Sequence, residues 1–188
     1  MKKVILYGGS FNPPTIAHQV ILQACLSRAA TSDGEVWLVL SGSRADKQID
    51  VSRQQRIELA QALYASTNIP DRVSFKIETV ELDGVGQTQT YKTHQHLQAL
   101  YPSTQFEWVF GSDSVSSMSS WTQGSWLAEN LRMLVIPRPG YEKCILPSKA
   151  HLFSVDVPEV SSTEVRKCLT QGQSIVGLVP PEVRSMLE

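Results

Sequence analysis

Short, uninterrupted runs of apolar residues alternate along the chain with longer segments whose apolar residues recur every three or four positions. Residues 4–7 form the first run, which ends at two glycines, and residues 36–40 form the second, which ends at a Ser-Gly-Ser sequence. Continuous apolar runs of this length are typical of strands that are buried on both faces of a sheet. Further strands are predicted at residues 73–77, 106–110, 133–136 and 152–157.

The segments that follow the first two strands predict helices. Between residues 18 and 30, apolar residues recur at spacings of one, three and four positions, which places them on one face of a helix. Ser52 stands three residues before Gln55, and this spacing is that of a capping box. A second helix is therefore expected to begin at Ser52.

The second half of the chain carries further helix signals. Thr90 can cap a helix that runs to residue 100. Ser161 and Glu164 again have the spacing of a capping box, and Gly172 can end the helix that they begin. A Pro-Pro pair at residues 180–181 predicts the start of a short final helix.

This alternation of strands and helices defines the expected fold class. Strands that are joined by helices form parallel sheets with right-handed crossovers, so we expect an α/β protein with a Rossmann-like parallel sheet and helices on both faces. Residues 83–89, rich in Gly and Gln, and the serine-rich residues 114–120 are expected to be loops. No internal repeat or linker interrupts the pattern, so residues 1–188 are expected to form a single domain.

Composition excludes several classes of protein. The formal net charge is −1, which argues against nucleic-acid binding driven by bulk electrostatics. No apolar stretch reaches the length of ~18 residues that a membrane-spanning helix needs, so no membrane partner is expected. The three cysteines form no CxxC pair, which leaves zinc and thioredoxin-like sites without support. An odd, small number of cysteines fits a reducing compartment, and a cytoplasmic location is expected.

The first candidate chemistry follows the first strand, because ligands of such sheets bind beyond the carboxyl ends of the strands. Gly8 and Gly9 allow a ligand to approach the backbone closely. The helix that begins near residues 16–18 favours an anion at its N-terminus, and His18 in its first turn can donate to a phosphate oxygen. The segment is neither a Walker A loop nor GxGxxG. A plain tight turn followed by a surface histidine is the alternative.

Residues 8–18 read GGSFNPPTIAH and resemble the GGxFxPxHxGH string of the nucleotidyltransferase superfamily. Thr15 and His18 match the polar positions of its (H/T)xGH signature, and Ala17 stands where the family usually has Gly. Residues 160–166 read VSSTEVR and resemble the ISSTxxR motif of the same superfamily. Hydroxyls at a helix N-terminus and an arginine one turn later suit a polyphosphate, although a simple helix cap has the same pattern.

Inner segments resemble the nicotinate-nucleotide adenylyltransferases of bacteria. Gly111-Ser112-Asp113 followed by Trp121 resembles their GxDxxxxxxxW stretch, residues 138–141 (RPGY) their RPGY segment, and residues 90–93 (TYKT) their TYxT segment. Residues 41–47 read SGSRADK and depart from their PPHK-like stretch, with Lys47 as the basic residue.

The resemblance implies adenylyl transfer from ATP to nicotinate mononucleotide, which gives deamido-NAD and pyrophosphate. It implies catalytic roles for His18 and Thr15 at the ATP phosphates, with Mg²⁺ bridging the phosphates and no dedicated protein metal site. The implied ATP-binding residues are Gly8, Gly9, Ser10, Phe11, Gly111, Asp113, Ser161, Ser162, Thr163 and Arg166. The implied acceptor-binding residues are Thr90, Trp121 and Arg138.

Alternatives remain at this stage. The acceptor is open between nicotinate mononucleotide, nicotinamide mononucleotide and phosphopantetheine, and a cytidylyltransferase or a nucleotide-binding module without turnover is a further alternative. Asp113 has the alternative of a surface carboxylate, Trp121 of a core residue and Arg138 of a solvated arginine. A homo-oligomer is compatible with the sequence, which does not determine the assembly state.

Overall fold

The structure is a computed structural model that describes residues 1–42, 51–84 and 89–188. Its strands form one sheet in which every neighbouring pair is parallel, in the order β3-β2-β1-β4-β5-β6. The predicted Rossmann-like α/β fold is thereby confirmed. The strands are β1 (Lys2–Gly9), β2 (Glu35–Leu40), β3 (Ser74–Glu78), β4 (Thr104–Gly111), β5 (Arg132–Ile136) and β6 (Ala150–Leu152).

Helices lie between consecutive strands from the first to the fifth, and two more helices come after the sixth strand. Ser52 caps its helix as expected, because its Oγ accepts from the backbone N–H of Gln55 while the Gln55 side chain accepts from the Ser52 N–H. Gly172 follows the helix Ser162–Thr170 and has a left-handed φ of 64°. The helices are α1 (Ile16–Ala30), α2 (Arg53–Ala65), α3 (Thr90–Leu100), α4 (Ser112–Ser117), α5 (Gly124–Asn130), α6 (Ser162–Thr170) and α7 (Pro181–Arg184).

The core lies on both faces of the sheet. Ile5 and Tyr7 point to the face covered by α1, α2, α6 and α7, whereas Val4 and Leu6 point to the face covered by α3, α4 and α5. Because both sets of side chains are buried, the strand reads as a continuous apolar run rather than as an alternating one. No helix within the described ranges is long and apolar enough to cross a lipid bilayer.

Three local predictions differ from the structure. The serine-rich residues 114–120 are not a loop but belong to α4 and to the 3₁₀ helix Met118–Ser120, because Val115 and Met118 are buried against the sheet. This burial outweighs the low helix propensity of serine. The cap of α3 is Gln89, and Thr90 is its first helical residue.

The sixth strand is also shorter and earlier than residues 152–157. It pairs with β5 only through residue 152, where Val135 is the partner of Leu152. The partner strand ends at Ile136 and is followed by Pro137, which has no N–H to donate to a ladder. Of the predicted loop at 83–89, residues 85–88 lie outside the described residues.

The sheet order places a topological switch between β1 and β4. The chain leaves β1 towards β2 and β3 on one side, and then crosses over to build β4, β5 and β6 on the other side. The connections that follow β1 and β4 therefore diverge, which opens a crevice at the carboxyl ends of these two neighbouring strands.

Candidate active site

The segment that follows β1 is compact and buried. Phe11 is 1% exposed and has a left-handed φ of 44°. Its ring packs edge-on against Tyr7, with centroids 5.3 Å apart, and against His18, with centroids 5.1 Å apart. A Cβ on Gly9 would lie 3.0 Å from this ring, so glycine at position 9 lets the ring fold back against the strand. Phe11 thus offers a ligand its backbone rather than its side chain.

Thr15 and His18 form a pair at the start of α1. The Thr15 backbone N–H donates to His18 Nδ1 at 3.0 Å, and Thr15 Oγ1 lies 2.8 Å from the same nitrogen. Because Nδ1 accepts, the proton of the neutral imidazole belongs on Nε2. Thr15 is fully buried and acts here on the imidazole, while its expected contact with phosphate stays a prediction.

The two signature segments meet although they lie at opposite ends of the chain. Ser162 Oγ donates to the Pro13 carbonyl oxygen at 2.8 Å, across 149 positions of sequence. Arg166 Nη1 donates to the Asn12 carbonyl oxygen and Arg166 Nη2 to Thr163 Oγ1, at 2.6 and 3.1 Å. These bonds bring the N-terminus of α6 against the segment that precedes α1.

The N-terminus of α6 is capped as expected, because Ser161 Oγ accepts from the Glu164 backbone N–H at 3.1 Å. The exposed Thr163 stands in the first turn of the same helix. The N-terminus of α6 therefore lies beside the segment that leads into α1, and a helix N-terminus favours an anion.

A cavity of about 350 Å³ lies in the crevice between β1 and β4. It brings together five residues that the sequence singled out, since its lining includes Gly8, Gly9, Ser10, Thr90 and Trp121. Their positions along the chain range from the end of β1 to the segment after the 3₁₀ helix. The crevice position agrees with the rule that ligands bind at the switch point.

Trp121 is half-buried rather than a core residue. Its ring packs edge-on against Phe110, with centroids 5.8 Å apart, and both residues line the cavity. A flat aromatic face at such a position suits a flat heterocyclic ring. Trp37 and Trp108 are core residues as expected, with exposures of 2% and 3%, and Trp108 also contributes to the cavity wall. Trp126, which was expected in the core, is only partly buried and packs against the core on the sheet face that α3, α4 and α5 cover.

A second cavity of about 620 Å³ lies beside the first residues of α6. Arg138, Ser161 and Glu164 are part of its lining, together with residues 155–160. Arg138 also approaches the end of β4, since a Cβ on Gly111 would come within 3.2 Å of its Nε and would overlap Oδ1 of Asp113. Gly111 therefore lets the exposed Asp113 carboxylate and the Arg138 guanidinium converge on one backbone position.

Sequence reasoning missed two polar residues at the site, Glu81 and Arg56, whereas His94 is a hydrogen-bonded histidine behind the cavity wall. Glu81 lines the cavity between β1 and β4, and Arg56 donates from Nη2 to the Ser10 carbonyl oxygen at 3.0 Å. His94 Nδ1 accepts from Trp108 Nε1 at 3.2 Å, and burial lowers the pKa of His94 to about 4. Two sequence signals could have found Arg56 and Glu81. Arg56 occupies a position on the apolar face of its helix, and Glu81 stands between two apolar residues after a strand. Lys47 lies outside the described residues.

Comparisons with known proteins agree with this geometry. The cytidylyltransferase-like family matches residues 6–168 of the chain. A probable nicotinate-nucleotide adenylyltransferase of Exiguobacterium sibiricum is 31% identical over 99% of this chain and 96% of its own length. The nicotinate-nucleotide adenylyltransferase of Bacillus subtilis is 27% identical over 100% of this chain and 96% of its own.

This chain belongs to the nicotinate-nucleotide adenylyltransferases of the cytidylyltransferase-like family. The nicotinic acid mononucleotide adenylyltransferase of Plasmodium falciparum, solved in complex with NaAD, shares the fold with a TM-score of 0.75. It is 22% identical, and the match covers 97% of this chain and 93% of that one.

One departure from the usual motif of these adenylyltransferases can now be located. Ala17, which stands in place of the usual Gly, is 6% exposed on the first turn of α1. Its methyl group therefore packs within the protein, and the imidazole of His18 keeps its bond to Thr15 beside it.

Proposed function

We propose that the protein transfers the adenylyl group of ATP to nicotinate mononucleotide. An oxygen of the acceptor 5′-phosphate forms a bond to the α-phosphorus of ATP, and the bond from that phosphorus to the α,β-bridging oxygen breaks. The electron pair of the broken bond leaves with pyrophosphate, and the product is deamido-NAD. The observation that carries the proposal is the hydrogen bond from Ser162 to the Pro13 carbonyl oxygen, which joins α6 to the segment between β1 and α1.

At the phosphate end of the proposed site, N–H donors, helix N-termini and an arginine would bind the negative charge of ATP. Nε2–H of His18 would donate to a phosphate oxygen, because Nδ1 is occupied by the Thr15 N–H. The N-termini of α1 and α6, with Ser161, Thr163 and Arg166, would hold the remaining phosphate charge. Such groups stabilise a transition state whose charge increases on the leaving pyrophosphate.

The acceptor end of the proposed site is the cavity of about 350 Å³. Trp121 would stack on the pyridine ring. Gly8 and Gly9, which line the same cavity, would let the ATP nucleotide approach the backbone. Thr90, at the first position of α3, would offer a hydroxyl and an N–H. Outside this cavity, Arg138 of the second cavity would bind a phosphate or carboxylate of the acceptor, and Asp113 would accept from the ribose hydroxyls of ATP.

We also propose that Mg²⁺ binds together with ATP, through the ATP phosphates. Mg²⁺ prefers oxygen ligands and retains much of its water, so the ATP phosphates and water would supply most of its ligands. Among the described residues, no group of three or more Asp, Glu, His or Cys side chains could hold a metal ion. When it is bound, the ion neutralises phosphate charge. We also propose a cytoplasmic location, which suits an enzyme of NAD biosynthesis whose cysteines are all free thiols.

Pyrophosphate release tests the proposal directly. Purified protein is given ATP, Mg²⁺ and one acceptor at a time from nicotinate mononucleotide, nicotinamide mononucleotide and phosphopantetheine, and the product is identified by mass. We expect release with nicotinate mononucleotide at a higher kcat/KM than with the other acceptors. Release only with another acceptor, only with CTP, or with none would refute the proposal.

A further inference from the structure

A buried carboxylate lies in the wall of the acceptor cavity. Glu81 follows β3 by three positions, is 8% exposed and lines the cavity together with Thr90 and Trp121. Thr93 Oγ1 donates to Glu81 Oε1 at 2.7 Å, and the backbone N–H of Gly42 donates to the same carboxylate. The carboxylate thereby connects the first turn of α3 to the segment that follows β2.

A buried guanidinium on α2 acts electrostatically on the same carboxylate. Burial raises the pKa of Glu81, and the positive charge of Arg56, which is 3% exposed, opposes that rise. Its Nη2 donates to the Ser10 carbonyl oxygen at 3.0 Å, while its Nε has no hydrogen-bond partner among the described residues. Arg56 is thus bonded to the segment that follows β1 and interacts with Glu81 through its charge.

The hydrogen bonds of Glu81 and Arg56, together with the attraction between their charges, link the backbone segments around the cavity. The connected backbone segments are the ends of β1 and β2 and the first turns of α2 and α3. Ser10, Gly42 and Glu81 line the cavity, whereas Thr93 and Arg56 stand behind it. A buried carboxylate is costly unless donors surround it, so Glu81 holds its donors at defined positions.

We propose that Glu81, together with Arg56, is a positioning residue that sets the shape of the acceptor cavity for the mononucleotide. This inference rests on the proposed function of that cavity. Glu81 acts through Thr93, Gly42 and Arg56 rather than on the reacting atoms. Its loss is therefore expected to weaken acceptor binding while the ATP site beside α6 is left in place.

The chain supplies a matched control for Glu81. Glu78 is 9% exposed, almost the same as Glu81, and it also accepts two hydrogen bonds, from Lys76 Nζ and from the Val80 N–H. It does not line the acceptor cavity. Glu78→Gln therefore tests the cost of neutralising a buried carboxylate at the end of β3 without a change at the cavity.

The experiment compares KM for nicotinate mononucleotide with KM for ATP in Glu81→Gln, Glu78→Gln and the wild-type protein. In Glu81→Gln, one oxygen becomes an amide donor that faces other donors or the guanidinium. We expect the acceptor KM to rise about tenfold, with the ATP KM within about twofold of wild type. In Glu78→Gln, both KM values should stay near wild type even if the melting temperature falls.

Thr93 supplies a second pair of variants in case Glu81→Gln does not fold. Thr93→Val keeps the shape of the side chain and removes the donor to Glu81, whereas Thr93→Ser keeps the donor. We expect Thr93→Val to raise the acceptor KM selectively and Thr93→Ser to retain a wild-type KM. This rescue would not occur if the side chain served packing alone.

The outcomes separate this inference from the proposed function. A wild-type protein that is active with nicotinate mononucleotide, and variants whose two KM values change equally or not at all, would overturn the inference alone. A wild-type protein inactive with nicotinate mononucleotide would refute the proposed function, and the variants are then judged with the acceptor that does release pyrophosphate. If no acceptor does, the inference falls with the function.

Discussion

Ser162 Oγ donates to the Pro13 carbonyl oxygen at 2.8 Å, and this bond joins residues that are 149 positions apart. Pro13 lies in the segment between β1 and α1, and Ser162 is the first residue of α6. Arg166 reinforces the junction through the Asn12 carbonyl oxygen at 2.6 Å. Contacts between the two ends of the chain therefore hold the two signature segments together.

Removing this bond should affect both stability and ATP binding. Ser162→Ala leaves the Pro13 carbonyl without its donor, so we expect the free energy of unfolding to fall by about 1 kcal/mol. The KM for ATP should rise several-fold, because the N-terminus of α6 is no longer tied to the segment before α1. Thr170→Ala, at the other end of α6, is the control and should leave the KM unchanged. An unchanged ATP KM in Ser162→Ala would contradict the role of the junction.

His18 should matter more for turnover than for folding. His18→Ala removes the Nε2–H donor and also leaves the Thr15 N–H without its acceptor. We expect kcat to fall about 100-fold or more, and the free energy of unfolding to fall by about 1–2 kcal/mol. His18→Gln restores an acceptor for the Thr15 N–H, as a capping box does, and should recover stability but not turnover. Turnover within a few-fold of wild type in His18→Ala would refute its role.

Trp121 should contribute to acceptor binding. Trp121→Leu keeps an apolar side chain against Phe110 but removes the flat aromatic face, so we expect the KM for nicotinate mononucleotide to rise about tenfold. The KM for ATP should change little. Trp126→Leu is the matched control, because Trp126 packs on Tyr91 outside the cavity lining and its loss should lower stability instead. Equal effects of the two variants on acceptor KM would count against stacking.

Stability should depend on pH through His94. Burial lowers the pKa of His94 to about 4 from an ordinary value of 6.5, so between these values the unfolded state holds more protons than the folded state. Stability contributed by the neutral ring is complete above pH 6.5 and is lost as the pH falls towards 4. Protonation also removes the acceptor that Trp108 Nε1 uses.

Urea titrations across that pH window measure this effect. His94→Gln does not titrate and still offers an amide oxygen to Trp108, so the difference in unfolding free energy between wild type and variant should shift against the wild type as the pH falls. A difference that is constant across the window would show that His94 does not carry the pH dependence.

Local patterns were enough to predict most of the fold. Continuous apolar runs identified the strands because parallel strands with helices on both sides bury every side chain. Capping residues identified the starts of α2 and α6 because the orphan N–H groups of a first turn need nearby acceptors. The segments that carry Thr15, His18 and Arg166 were recognisable from the sequence because the residues of each motif lie only a few positions apart along the chain.

Only the tertiary structure decided how these segments meet. No periodicity reveals that Arg166 bonds to Asn12 or that Thr93 bonds to Glu81, because these contacts depend on strand order and on the crossover to β4. The serine-rich residues 114–120 are helical because packing against the sheet outweighs local propensity. Sequence thus determined which groups are present and on which elements they lie, and long-range packing determined which of them share a cavity.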